Sequence, residues 1–540
     1  MYLIMNKKLV MSAVLWLICL TASAYTFEEL RAKGGAKPVV LDGTIEGVIV
    51  SDWRSDNMEV NPNFDHNIVN TGENLRTAYI QSRDGRYGLR LKFEKIYGNR
   101  LAKGDVVRLS LAGCVLTKEN NPERYTVSGL KSSMVQVLET GVSPASKKKH
   151  ISELTPEDVY TYVTLEGVEF PKKIGGYINV IENSVQKSDI NRDVWQPEKT
   201  GWLPSQSAAD CWARLVMDDC GNQIYMLVNS TCGWRRNDMG VPKGIGAISG
   251  IVVHSELPRY GASLGEYSIR PLDKSDIAMP KEYSSSYNTI VAWEYDYNRY
   301  AQLDFENNGP KRFLAPSTIK ADRVKAEKGE GFVWTDSGAY IFLDEEYDAR
   351  HSFDGWKPAR MMGARSYAAL RFDVKAPKWF VFDPSGRVVG YNGIYLETST
   401  SGVQGKLYFD FSFVAARDHS REAVDFPVEW KVAYSEDGVN FTELPEVYVL
   451  RPIVTTNIQN GKIRNIRMHS EMAMGFSEYS VALPESLCGK EKIILRLAPC
   501  SDKTAVMPTK WNDSSTTGRA SKNMEAGTII RFGTLAVKCL

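Results

Sequence analysis

Apolar and polar residues alternate in short runs from Val39 onward, broken by Gly, Asn and Asp, which is the strand-and-turn pattern of an all-β protein. Helical periodicity is scarce. Residues 26–33, with Phe27 and Leu30 three apart, predict one short helix before the first strand. Residues 152–159, opened by Ser152 and carrying Pro156, predict another. Alternation over 407–413 puts Leu407, Phe409, Phe411 and Phe413 on one face, as the inner layer of a sandwich requires. Residues 430–442 read as a strand, an Asp437-Gly438 turn and a returning strand.

One pattern occurs twice. Val39-Val40-Leu41-Asp42-Gly43-Thr44-Ile45-Glu46-Gly47-Val48 is followed by Tyr79-Ile80-Gln81, by Lys103-Gly104-Asp105-Val106 and by Tyr125-Thr126-Val127. Val163-Thr164-Leu165-Glu166-Gly167-Val168 is followed by Leu215-Val216-Met217, by Lys243-Gly244-Ile245 and by Tyr267-Ser268-Ile269. Each unit offers a strand with a Glu-Gly bend, a hairpin over an Asp-rich turn, a strand entered through Lys-Gly and a closing strand. About five strands in that order suit a small barrel of the OB type. Two unrelated meanders sharing turn residues are the rival reading.

On LDGTIEGVIVSD (41–52), LAKGDVVRLSLAG (101–113), YTYVTLEGVEF (160–170) and YSIRPLDKSDI (267–277), the first half resembles a domain of unknown function found in exported proteins of gut-type Gram-negative anaerobes. The resemblance implies OB-like, non-catalytic modules with a binding or structural role and no known ligand. The hairpin at 430–442, with 481–484 and 533–537, is similar to galactose-binding-like and related exported jelly-roll sandwiches, some of which bind glycans. The expected organisation is a leader over 1–24, OB-like modules over 25–143 and 144–279, a linker over 280–287 rich in Ser, and a jelly-roll-like β-sandwich over 288–540.

The leader expectation rests on Lys7-Lys8, an apolar run over 9–20 and the small-x-small site Ala22-Ser23-Ala24. That run is shorter than the roughly 20 residues a membrane span needs. Cys19 follows Trp16-Leu17-Ile18, not the small residues lipidation favours, so a periplasmic or secreted protein starting at Tyr25 is expected. Loss of Lys7 and Lys8 leaves 64 basic against 65 acidic residues, a balance that gives no general attraction to phosphate backbones and disfavours nucleic acid as a partner. Seven cysteines then remain, an odd number. Cys211 with Cys220 and Cys488 with Cys500 are local candidates for bridges, and buried free thiols are the alternative.

Catalytic signatures are missing from the sequence. The six histidines stand singly, and no H-E-x-x-H, G-x-S-x-G or phosphate-cradling glycine loop occurs. Ser435 to Phe441 is superficially like the Asp-containing hairpin of sialidase propellers, but it occurs once and reads as a hairpin. The acidic run Asp344-Glu345-Glu346-Tyr347-Asp348 lacks a spaced calcium loop and reads as solvated. No catalytic residue, metal ligand or cofactor is therefore assigned.

Aromatic residues are the more suggestive feature, because sugars stack their C–H faces on exposed rings. Trp334, Trp356, Trp379 and Trp511 fall in or beside predicted turns, with Trp356, between Gly355 and Lys357-Pro358, the leading candidate. Tyr79, Arg83, Arg86 and Tyr87 share one predicted hairpin of the first module, so Tyr79 and Tyr87 are candidate stacking residues for an OB-type groove. The expectation is a non-enzymatic exported binding or adhesion protein with a glycan or an envelope protein as partner. The alternatives are a hydrolase of glycan or nucleic acid whose carboxylates assemble from distant strands, and a purely structural envelope component.

Overall fold

The computed structural model describes residues 24–55, 57–58, 71–173, 177, 179–180, 211–229, 232, 234, 241–257, 262–263, 265–280, 282–294, 323–335, 341–343, 370–372, 376–417, 426–450, 454–459, 462–468, 477–505, 517–523 and 528–540. The chain is all-β, as its alternation predicts. The first expected helix forms as α1 (Phe27–Lys33), capped by Thr26 and Glu29 in a reciprocal box that satisfies two amides at the helix start. The second does not form. Residues 152–159 instead contribute to two 3-10 turns, Ile151–Glu153 and Pro156–Asp158, because Leu154 is extended and Pro156 has no amide hydrogen to continue a helix.

The first unit is built on β1 (Thr44–Ile49), β2 (Thr77–Gln81), β3 (Gly88–Phe93), β4 (Val106–Ser110), β5 (Val115–Glu119) and β6 (Arg124–Leu130). β1 pairs antiparallel with β2 and β4, β2 with β3, and β5 with β6, whereas β3 and β6 run parallel. The second unit holds β7 (Tyr162–Glu169), β8 (Arg214–Asp218), β9 (Gln223–Met226), β10 (Gly246–Val253) and β11 (Ser268–Arg270). Here β7–β8, β8–β9, β11–β10 and β10–β7 are antiparallel and β9–β11 is parallel, which closes a five-stranded barrel. The same pairing order recurs in the first unit, with its fourth strand divided into β4 and β5. The echo in the sequence is thus an echo in topology.

The two Glu-Gly bends need glycine for different reasons. At Gly47 a Cβ would lie 2.6 Å from the Gln81 carbonyl oxygen and 2.8 Å from the Phe27 ring, so α1 and β2 approach the bare backbone. Gly167 has φ +67 and sits where the β7–β10 register slips, a bulge that a left-handed residue accommodates.

The sandwich joins two sheets. One carries β12 (Asn288–Glu294), β15 (Leu407–Arg417), β17 (Ser477–Ala482) and β19 (Thr528–Cys539); the other carries β13 (Gly331–Thr335), β14 (Ile394–Thr398), β16 (Glu429–Ser435) and β18 (Ile493–Pro499). Leu407, Phe409, Phe411 and Phe413 all enter the core between them, beside Trp430, Leu495 and Leu535. The intervening Tyr408, Asp410 and Ser412 are buried too. Their face of β15 abuts the second barrel, where Tyr408 packs with Leu215 and Met217, and Lys172 Nζ lies 3.4 Å from Ser412 Oγ. Within the stretch read as a linker, 280–287, Ser285, Ser286 and Tyr287 are held against that barrel: Glu169 accepts from Ser285 Oγ and the Ser286 amide, and the Tyr287 hydroxyl donates to the Asp218 carbonyl at 2.8 Å.

Neither expected cysteine pair forms. Cys220, Cys488 and Cys500 are free, with the Cys488 thiol donating to the Gly405 carbonyl at 3.1 Å. Burial pushes the Cys500 thiol up to about 11.

Candidate functional site

The structure separates the residues that the sequence groups as candidates. Trp356, Trp511 and the acidic run 344–348 lie outside the described residues. Trp379 is fully buried and meets Trp430 edge to face at 5.1 Å, so it is a core residue. Tyr79 is 2% exposed. Its ring lies 5.3 Å from that of Tyr160 and it packs into the core of the second barrel, so it offers no stacking face to a ligand; docking of that barrel on the first unit covers it. Tyr87 is half-buried, with the Arg31 and Arg86 guanidiniums 5.0 and 4.8 Å from its ring centre. The hairpin therefore does not form an aromatic groove.

Trp334 is different. Strand alternation sends Val333 into the sandwich core and leaves Phe332 and Trp334 on the outer face of β13. Trp334 is in register with Tyr395 on β14, which is in register with Arg496 on β18. The Trp334 and Tyr395 rings stack with centres 5.4 Å apart and planes 12° apart, and Phe441 meets Tyr395 edge-on at 5.7 Å. A row of half-buried rings thus crosses the outer face of the sheet. Sequence reasoning reached Trp334 but missed Tyr395 and Phe441, whose relation to it exists only through strand register and the 436–441 loop.

Polar groups border this row. Arg323 lies between Phe332 and Trp334, its guanidinium carbon 4.9 and 4.3 Å from their ring centres, and it forms an ion pair with Glu397 at 3.2 Å. Lys492 reaches the other oxygen of Glu397 at 3.1 Å. Arg496 donates to the Tyr391 carbonyl. Gly393 leaves room for it, since a Cβ there would come within 3.0 Å of Arg496 Nε. Aromatic faces flanked by fork-shaped donors and a carboxylate can hold a sugar ring while hydrogen-bonding its hydroxyls. Arg323 already occupies one face of Trp334, so stacking there requires the guanidinium to swing aside. Because Arg323 is half-exposed, its ion pair and cation–π contact together hold it by only about 1–2 kcal/mol.

Two other acidic features have structural work. Asp437 accepts from the amides of Val439 and Asn440 and from Ser435 Oγ, which closes the 436–441 turn and holds its carboxyl well below the usual range. Asp218, Asp219 and Cys220 bring ligand-type atoms within 4.8 Å of one another, but Asp218 already accepts from the amides of Cys220 and Asn222 in the β8–β9 turn.

No protein-family model and no curated protein matches the chain. Among solved structures it is similar to TmCBM61 in complex with β-1,4-galactotriose, at 9% identity and a TM-score of 0.17, over 39% of this chain and 88% of that one. It is also similar to the K1 cleaved adhesin domain of Lys-gingipain from Porphyromonas gingivalis, at 13% identity and a TM-score of 0.16, over 32% of this chain and 73% of that one. At these TM-scores neither likeness carries an argument about this chain.

Proposed function

We propose that this chain is an exported, non-enzymatic glycan-binding protein, in which two OB-type barrels support a sandwich that meets the sugar. The observation that carries the reading is the Trp334–Tyr395 stack on the outer face of the second sandwich sheet, bordered by Arg323, Glu397 and Lys492. The leader-like first residues support export.

Isothermal titration of the mature chain with neutral oligosaccharides chosen from a glycan array tests this. Trp334→Ala should weaken binding about tenfold or more, since an aromatic stack contributes roughly 0.5–1.5 kcal/mol beyond its buried area. Arg323→Ala should leave binding unchanged or tighten it by removing the competitor for the tryptophan face. Unaltered affinity in Trp334→Ala, or no oligosaccharide binding at all, would overturn the proposal. Hydrolysis of the bound glycan, lost on substitution of one carboxylate, would replace it with the hydrolase reading.

A further inference from the structure

Two thiols that are distant in sequence meet at one end of the sandwich. Cys488 closes the 3-10 turn Glu485–Leu487, which carries the chain from β17 in one sheet to β18 in the other. Cys539 ends β19 and is in register with Leu407 at the start of β15. The residues just ahead of β15 touch both thiols: Cys539 donates to the Gln404 carbonyl at 3.0 Å and Cys488 to the Gly405 carbonyl at 3.1 Å. Gly405 is in reach of both sulfurs, since a Cβ built on it would stand 3.2 Å from Cys539 Sγ. Its φ of +113 and the nearby Leu540 carbonyl leave no place for a side chain, so bare backbone is what lets the three segments converge. The thiols are also close enough to act on each other: burial pushes Cys539 up and Cys488 adds to the shift.

The backbone beside each sulfur is already fixed. The Leu540 amide donates to the Lys406 carbonyl at 2.9 Å, and the Gly489 amide to the Thr400 carbonyl at 3.1 Å. Thiols are weak donors, so little is lost when they turn from the carbonyls toward each other. Cys500, the partner that sequence spacing suggests for Cys488, stands beyond the far end of β18. That strand of seven residues spans roughly 20 Å, against the Cα separation of about 4.4–6.8 Å that a disulfide allows.

We propose that Cys488 and Cys539 form a disulfide that staples β19 to the turn between β17 and β18. Both S–H bonds break and one S–S bond forms; the two electrons and two protons pass to a small-molecule disulfide, which is reduced to two thiols. Cys488, the less buried of the two, attacks the oxidant first, and Cys539 resolves the mixed disulfide. The bridge closes a loop of about 50 residues and stabilises by restricting the unfolded chain. It uses no residue of the Trp334 face and does not depend on the glycan reading.

The test is oxidation of the folded, fully reduced chain with oxidised glutathione at pH 8, then alkylation of the remaining thiols in denaturant and peptide mass mapping without reduction. A cross-linked pair of peptides containing Cys488 and Cys539, lighter by two hydrogens than the free peptides together, is expected, and none joining Cys488 to Cys500. The oxidised chain should melt roughly 5–10 °C above the same chain treated with dithiothreitol. Cys488→Ala and Cys539→Ala should each abolish that difference between oxidised and reduced forms, which a general loss of stability in either variant does not mimic. The proposal is overturned if the cross-linked pair is absent, if Cys488 pairs with Cys500 instead, or if the cross-linked chain melts no higher than the reduced one.

Discussion

Arg214 and Glu478 meet across the junction of the second barrel and the sandwich, the guanidinium fully buried, the carboxylate nearly so, and Nε 3.4 Å from the Oε2 that also accepts the Leu215 amide. Burial lowers the Arg214 pKa and the neighbouring Glu478 opposes that shift. Two charges taken out of water together are tolerable; one left alone is not. The pair is therefore a fixed point between two units that also meet through the packing of Tyr408 on Leu215 and Met217 and through Gln223 and Tyr225, which donate to the Ser480 and Glu478 carbonyls at 2.8 and 2.6 Å.

Glu478→Ala should lower stability by about 3–5 kcal/mol, because it removes the buried carboxylate that faces both Arg214 and Lys172 in the junction. Replacing both residues with methionine should cost much less than the sum of the single changes. Denaturant unfolding of the two single variants and the double variant measures the coupling, and strictly additive losses would refute it.

How much of this could be read from sequence depends on which side of a strand is in question. On β15 the alternation correctly sends Phe409 and Phe411 inward, yet Asp410 and Ser412 look solvent-facing and are buried, because a second unit packs on the outer face of the sheet. Tyr79 misleads in the same way: its hairpin reads as exposed until the second unit's barrel is docked on it. Trp334 could be suspected from its surroundings, but Tyr395 joins it only through strand register.

Gly47 and Gly167 occupy matching positions in the two repeats and should respond differently to alanine. At Gly47 the new methyl group would meet the Gln81 carbonyl at 2.6 Å, Phe27 at 2.8 Å and Ile80 at 2.9 Å, so strands or helix must move, a cost of about 1–3 kcal/mol. At Gly167 the nearest atom is a carboxylate oxygen of the exposed Asp219 side chain at 3.2 Å, and the penalty is mainly that of φ +67, about 1–2 kcal/mol. Thermal melting should show the larger drop for Gly47→Ala, and the reverse order would mean that backbone conformation outweighs the close approach.

Asp158 links acid to stability. Its side chain is buried, which disfavours ionisation, but Lys147 and Lys149 at 2.8 and 2.5 Å and the Thr155 amide outweigh that and hold its carboxyl below the ordinary value. A carboxyl with a depressed folded pKa stabilises fully above its unfolded pKa, about 4, and that contribution disappears as pH falls through the depressed folded value. Asp158→Asn should therefore cost about 3–5 kcal/mol at neutral pH and progressively less below about pH 4. Urea midpoints at pH 7 and near pH 3 give the comparison, and a difference that does not shrink on acidification would exclude this ion cluster as the source.

The cysteines differ in access and in acidity, and their reactivity should follow both. Only the thiolate attacks an alkylating agent, and burial pushes Cys500 up to about 11, so at pH 8 only about one thiol in a thousand is ionised there. Cys220 is raised as well, through desolvation and the nearby Asp218 and Asp219, but it is exposed in the β8–β9 turn, where reagent reaches it without any opening of the fold. Cys114 and Cys232 are fully buried and need unfolding first. Iodoacetamide at pH 8, followed by peptide mass mapping, should therefore label Cys220 ahead of Cys500, with Cys114 and Cys232 labelled only in denaturant. Equal labelling of Cys500 and Cys220 would show that the paired strand ends at Glu429 and Cys500 open readily, against the Cys500 amide's hydrogen bond to the Glu429 carbonyl at 2.9 Å.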